Sequence, residues 1–184
     1  MRAQQPEQWT SYTAIYKITY PTGAPNPLDN LDTSKEIIRA VDGSKLSLKR
    51  DSSGRPVAGI LWKGGSMYHL NYIRSQAMAF KGANPPRWEL PPGSPIGTAK
   101  VAGLDCVIYP LQVAGGEGTK CVDAVDKLTA KTGIHMQRGN GTQIYIEELT
   151  SVKFETPLLQ TIEIPKDFRV IHPLMAGESP EDQQ

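Results

Sequence analysis

Three histidines in this chain each have a methionine close by, in Met67-Tyr68-His69, His135-Met136 and His172-Pro173-Leu174-Met175. Imidazole and thioether together form a ligand set that copper favours. Met67 and His69, two residues apart, project from the same side of a strand, as a chelate requires, whereas adjacent His135 and Met136 point to opposite faces. Met67, His69, His135 and His172 are therefore the candidate metal ligands, set against a chance scatter of histidines beside methionines. Other chemistry has less to stand on. There is no Ser-His-Asp order, no HExxH and no phosphate-binding glycine loop. Gly115-Gly116-Glu117-Gly118 reads as a turn, with no Lys-Ser/Thr after it. Glu147 and Glu148 are neighbours on an expected strand and point apart, which is poor geometry for acid–base work. Asp123 and Asp126 read as solvated, and Asn140-Gly141-Thr142 reads as an Asn-Gly turn that also fits a glycosylation acceptor. No catalytic residue and no cofactor is assigned, and the chain is read as non-enzymatic.

The two cysteines carry more. Cys106 and Cys121 flank the glycine-rich turn. In an antiparallel hairpin centred near Val113 and Ala114 they lie opposite or nearly opposite each other. Opposed residues of a non-hydrogen-bonded pair have Cα atoms about 4.5 Å apart, within disulfide range. A cross-strand disulfide is expected, with a reduced, buried pair as the alternative. A disulfide of this kind belongs to an oxidising compartment. Arg2-Ala3 before Gln4 matches the end of a signal-peptidase site, and equally an ordinary start followed by a polar arm. The expectation is a periplasmic or secreted protein whose signal peptide has been removed.

The elements that must hold these residues are short strands. With 184 residues, a net charge of +1, 17 Gly and 15 Pro, the chain suits one turn-rich β domain and gives no reason to expect nucleic acid as a partner. No apolar run reaches the length of about 20 residues that a membrane-spanning helix needs. Trp9–Tyr20 alternates, with Tyr12, Ala14, Tyr16, Ile18 and Tyr20 on one face. Residues 21–32 form a loop rich in Pro, Gly and Asn, a candidate rim or lid. A meander then runs through KEIIRAV, the two-residue hairpin signal Asp42-Gly43, KLSLKR, PVAGILWK, MYHLNYI and AMAF. Residues 82–98 carry five prolines and read as a crossing segment pinned by Trp88 and Leu90. KVAGLDCVIYPLQV opens the second half. TKCVDAVDKLTAKTG fits either a helix or two strands about a turn at Ala124–Asp126, and the strands are preferred because a disulfide hairpin holds Cys121 in extended structure. Ile134–Gln137 and TQIYIEEL make a further hairpin, followed by strands at Ser151–Phe154 and Leu158–Ile164. The expected organisation is an arm at 1–8, one β domain at 9–172 and a polar tail at 173–184.

The order of these features resembles the LolA-like superfamily of exported lipoprotein carriers and lipid-binding lipoprotein-like domains. The resemblance rests on KLSLKRDSSGRP, MYHLNYIRSQAMAF, Gly103–Tyr109, Lys120–Asp123, Val152–Pro157 and Ile164–Phe168, and spans residues 10–171. Cysteine stands where relatives often have a tryptophan before the V-D pair, no N-terminal lipidation cysteine occurs, and the Pro-rich crossing is longer than expected. The resemblance implies a mainly β fold: a curved antiparallel sheet forming an incomplete barrel, with short helices or a loop over the open side. Its concave face would bind a lipid or other hydrophobic small molecule, with Tyr12, Tyr16, Trp62, Tyr68, Leu70, Met78 and Phe80 as the expected contacts, and another envelope protein is a further expected partner. The alternatives are an interaction domain with a filled core and a copper-binding or catalytic protein using its His and Met residues.

Overall fold

The alternation at Tyr12, Ala14, Tyr16 and Ile18 becomes strand β1 (Tyr12–Thr19), and all four of these side chains are buried. The computed structural model describes residues 10–22, 33–82, 91–139, 141–155 and 162–173. Eleven further strands follow: β2 (Ser34–Arg39), β3 (Lys45–Arg50), β4 (Pro56–Lys63), β5 (Ser66–Asn71), β6 (Gln76–Lys81), β7 (Gly97–Val101), β8 (Leu104–Val113), β9 (Gly116–Asp123), β10 (Thr129–Arg138), β11 (Gly141–Lys153) and β12 (Arg169–Ile171). They form one sheet in the order β12-β6-β5-β4-β3-β2-β1-β11-β10-β9-β8-β7. The sheet is not closed into a barrel, which agrees with the expected curved, incomplete one. Every pairing is antiparallel except β12 with β6. Two meanders, β2–β6 and β7–β11, are thus joined through β1, which pairs with β2 on one side and β11 on the other. No helix occurs among the described residues. The arm at 1–8, Trp9, loop residues 23–32, Trp88 and Leu90, the start of the expected strand at Leu158 and the tail from Leu174 lie outside them.

Turn chemistry sets most boundaries. Gly64 and Gly65, both at positive φ, make the two-residue β4–β5 turn, the left-handed geometry that matches strand twist. Between β2 and β3 the expected two-residue turn is instead a three-residue loop, Val41–Gly43. Its ends are closed by the Ala40 N–H donating to the Ser44 carbonyl, and Gly43 takes φ 85°. Asp51 ends β3 by accepting from the N–H groups of Ser53 and Arg55 and from the Ser53 hydroxyl. These bonds pull its carboxyl down to about 2, the Ser53 hydroxyl contributing most.

The structure corrects four other readings. The run KVAGLDC is two strands, β7 and β8, about a turn at Ala102-Gly103, where Ala102 adopts φ 50°. Ser151–Lys153 is the end of β11, continuous past an irregularity opposite Ile15 and Tyr16. Ile162 and Ile164 lie outside any strand, and the three-residue β12 follows them. The Gly115–Gly118 turn shrinks to Ala114-Gly115, because Gly116 and Gly118 belong to β9. A Cβ at Gly118 would fall on the Gly133 carbonyl oxygen, and one at Gly116 on the His135 carbonyl oxygen. These glycines let β9 lie against β10 rather than turn the chain.

Placing the turn at Ala114-Gly115 also moves the register. Ile108 faces Cys121 and Cys106 faces Asp123, so the cysteines are diagonal neighbours on one face. They are bonded, with Cα atoms 5.5 Å apart. Both are buried in a first core cluster with Tyr12, Ala14, Leu128 and Leu149. A second cluster holds Ile38, Leu46, Leu61, Leu70 and Ala77, with Ile162 buried in it and Ile164 and Phe168 packed alongside. Full burial of each large apolar side chain is worth about 1.5–3 kcal/mol.

Gly118→Ala should lose about 1–3 kcal/mol in chemical denaturation through overpacking, while Gly97→Ala, whose new methyl would meet Ile108 Cδ1 at 3.8 Å, should stay within about 0.5 kcal/mol of the parent. Alkylation of folded protein without reductant should modify neither cysteine. The Cys106→Ala/Cys121→Ala pair should lower stability by about 3 kcal/mol, the entropic expectation for a loop of this length.

Candidate functional site

Cross-strand partners point to the same side of a sheet, so the register shows what one face of β2–β6 and β12 presents. Three rows run across the strands. The first is Lys35–Lys49–Ala58–Asn71–Gln76–Arg169, the second Ile37–Ser47–Ile60–His69–Met78–Ile171, and the third Arg39–Lys45–Trp62–Met67–Phe80. The rows are respectively polar and basic, largely apolar, and aromatic with two cations. A groove of about 590 Å³ follows the first two rows, lined by Ser47, Lys49, Ile60, His69, Met78 and Ile171. Its size lies within the range of about 300–1,000 Å³ common for small-molecule sites. Ile73 and Arg74, in the β5–β6 turn, stand at its edge. That turn is fixed by the Arg74 N–H donating to Asn71 Oδ1, by the Arg169 N–H donating to the Ser75 carbonyl, and by Tyr72 packed edge-on against Phe168. Met78 remains 39% exposed and Ile73 72% exposed, so apolar surface faces solvent where the groove opens.

The seven residues expected to contact a ligand divide between three places. Trp62, Met78 and Phe80 share the grooved face, and Met78 lines the groove. Tyr68 and Leu70 belong to the opposite face, since Leu61 pairs with Tyr68 and Gly59 with Leu70; Leu70 is in the second core cluster and Tyr68 packs against it. Tyr12 and Tyr16 follow the grooved face by register, but each is only 1% exposed, inside the first cluster. The metal candidates are not brought together. Met67 and His69 share the grooved face, and the His69 ring lies 5.0 Å from that of Phe80. His135 sits on β10, far from β5 in the strand order, and His172 is exposed after β12. Met175 lies outside the described residues, among which no three His, Cys, Asp or Glu side chains are grouped to hold an ion.

Sequence reasoning missed the polar cluster beside the groove. Lys35 Nζ meets Glu147 Oε1 at 2.6 Å, and Tyr145 donates its hydroxyl to Glu147 Oε2 at 2.6 Å. The Tyr16 hydroxyl donates to the Thr129 carbonyl at 3.0 Å. Arg39, 1% exposed, lies against the Tyr12 hydroxyl, and Lys45 Nζ stands 5.3 Å from the centre of the Trp62 ring. Burial pushes Lys45 down to about 8, reinforced by the nearby charges of Arg39, Lys35 and Lys120 and opposed by Glu147. Burial also lowers Lys120 and raises Tyr12 to about 12 and Tyr16 well above its ordinary value. The signal was present as i, i+2, i+4 spacing: Lys35 and Arg39 flank Ile37, and Lys45 and Lys49 flank Ser47, on faces that alternation alone would have aligned.

The open sheet agrees with the mainly β, incomplete barrel that the resemblance to the LolA-like superfamily implies. No protein-family model matches the chain, and no curated protein matches its sequence. The likeness is to solved structures. The Pseudomonas aeruginosa MucA/MucB complex matches with a TM-score of 0.57 at 14% identity, over 88% of this chain and 58% of that one. An uncharacterized conserved protein from Thermus thermophilus matches with a TM-score of 0.51 at 10% identity, over 89% and 91% of the two chains. A LolA superfamily protein from Nitrosomonas europaea matches with a TM-score of 0.41 at 12% identity, over 86% and 92%. At such identities the likeness is one of fold. The chain spans 56% to 61% of the MucB chains it matches.

A lysine whose folded pKa is depressed binds fewer protons in the native state than in the unfolded one between its two pKa values. Stability therefore rises with pH through that window. From about 8 towards 10, below the range where Tyr12 and Tyr16 reverse the trend, the native protein should gain stability against urea. Lys45→Met should shrink that rise, leaving the part that the likewise depressed Lys120 contributes, which a urea-denaturation series across pH will measure.

Proposed function

We propose that the chain is an exported, non-enzymatic binding domain, a single β unit over 9–172 between a short arm and a polar tail, that holds a hydrophobic ligand along the groove. The observation that carries this reading is the Ile60–His69–Met78–Ile171 row, an apolar strip with a volume beside it on one face of the sheet. The other face of the same strands is occupied by Ile162 and the second core cluster. Each 100 Å² or so of apolar ligand surface removed from water contributes about 2.5 kcal/mol before ordering costs. Binding is then burial plus shape, with no bond made or broken. The resemblance to the LolA-like superfamily and the bonded cysteines support the reading, including its oxidising compartment.

A protein partner is a second reading, favoured by one observation: the similar MucB has been solved in complex with MucA. The exposed Ile73 and Met78 would then meet apolar side chains of that partner.

An apolar fluorescent probe such as N-phenyl-1-naphthylamine should bind saturably, one per chain, and Met78→Lys should weaken it at least tenfold without changing the melting temperature by more than a few degrees. Absence of saturable binding, or equal binding by the variant, overturns the groove as the ligand site.

A further inference from the structure

We infer that Met67, His69 and Met78 form a binding site for a soft monovalent metal ion, Cu(I). The strand register supplies the three donors. His69 and Met78 are direct cross-strand partners between β5 and β6, and Met67 stands two residues before His69 on the same face. Direct partners have Cβ atoms about 4.5–5.5 Å apart, and diagonal neighbours such as Met67 and Met78 lie about 7–8 Å apart. A methionine side chain, unbranched with three rotatable bonds, can close gaps of that size around an ion. Two of the donors face solvent: Met78 is 39% exposed and His69 is exposed as well. Met67 is half-buried, paired with Trp62 on one side and Phe80 on the other. The His69 ring leans towards that row, 5.0 Å from the Phe80 ring. Spacing within one strand brings together only Met67 and His69; Met78 joins them through the register of β6 against β5.

The donor chemistry selects the ion. Two thioethers and one imidazole are neutral ligands, and the soft thioethers favour Cu(I) over divalent ions that seek carboxylate or water. No carboxylate is among the described residues that line the groove. Nor, among the described residues, are three His, Cys, Asp or Glu side chains grouped to hold an ion, so only the thioethers can complete a set around His69. The surroundings point the same way. Ile60 flanks His69 and Ile171 flanks Met78 along one row, and Trp62 and Phe80 flank Met67 along the next. Apolar neighbours of this kind restrict the water around a bound ion. Arg39 and Lys45 occupy the far end of the Met67 row, where Lys45 Nζ stands 5.3 Å from the centre of the Trp62 ring. Their charge opposes any added cation, and a divalent one about twice as strongly as a monovalent one. The competing reading is packing alone, with two methionines as apolar surface and a histidine resting on a phenylalanine. Packing accounts for Met67; it gives no reason for an exposed imidazole between Ile60 and Met78.

The test is anaerobic titration of metal-free protein with Cu(I) in competition with the coloured chelator bicinchoninate. The protein should withdraw one Cu(I) per chain, and X-ray absorption should show two sulfur neighbours and one nitrogen. His69→Ala, Met67→Leu and Met78→Leu should each weaken binding tenfold or more, since loss of an outer-shell partner alone costs about 10–100-fold. His135→Ala, on β10, should bind as the parent does. The two leucine variants conserve volume, and Met78→Leu should still bind N-phenyl-1-naphthylamine. Metal and apolar probe thus report separately, and failure of either leaves the other standing. Failure of the parent protein to withdraw Cu(I), undiminished binding by Met78→Leu, or tighter binding of Zn²⁺ than of Cu(I) overturns the site. Should a variant unfold, the parent's absorption spectrum decides, and nitrogen and oxygen neighbours without sulfur overturn the site.

Discussion

Everything in this sheet depends on β1 being paired on both sides. Tyr12–Thr19 lies against β2 along one edge and β11 along the other. Without it the β2–β6 meander and the β7–β11 meander would each present an open edge at the middle of the molecule, the kind of edge natural sheets avoid exposing. The side chains of β1 reinforce the backbone pairing. Tyr12, Ala14 and Tyr16 belong to the same cluster as the disulfide, and the Tyr16 hydroxyl reaches the Thr129 carbonyl at the start of β10. One strand therefore joins the half that holds the cysteines to the half that holds the groove.

The grooved face mixes what stabilises the fold with what a ligand would use. Arg39, Lys45 and Lys35 share that face with the groove-lining residues, and Lys45 is depressed there first by its burial and then by the neighbouring cations. The opposite face of the same strands is apolar at its centre, with Leu46, Leu61, Leu70 and Ala77 beneath Ile162, and keeps its charges, the Glu36–Arg50 pair and Lys63, towards the strand ends. The hydrophobic effect is served there, so the polar face is free to be shaped by other demands.

Much of this was legible in the sequence where physics is local. Period-two alternation located β1, and glycine pairs located the β4–β5 turn; the cysteine spacing pointed to the bonded pair. What failed was parity and context. A turn shifted by one residue changed the partner of Cys121 from Cys106 to Ile108. Choosing Tyr68 and Leu70 beside Trp62 ignored that Trp62 pairs with Met67, so odd and even positions of β5 were exchanged. Tyr12 and Tyr16 were on the expected face yet buried beyond reach, because sequence alone does not say which end of a curved face is filled. Gly116 and Gly118 looked like turn residues because close approach of two backbones requires the same absence of a side chain that a tight turn does.

The central place of β1 also governs the order in which the molecule can be assembled. Each hairpin of the β2–β6 meander closes over a few residues, at small entropic cost. The pairing of Thr13 with Lys153, by contrast, encloses most of the chain. Such non-local pairing places a protein among the slower folders. Until β11 is available, β1 can satisfy only one of its edges, and the other stays open to any extended strand that arrives first.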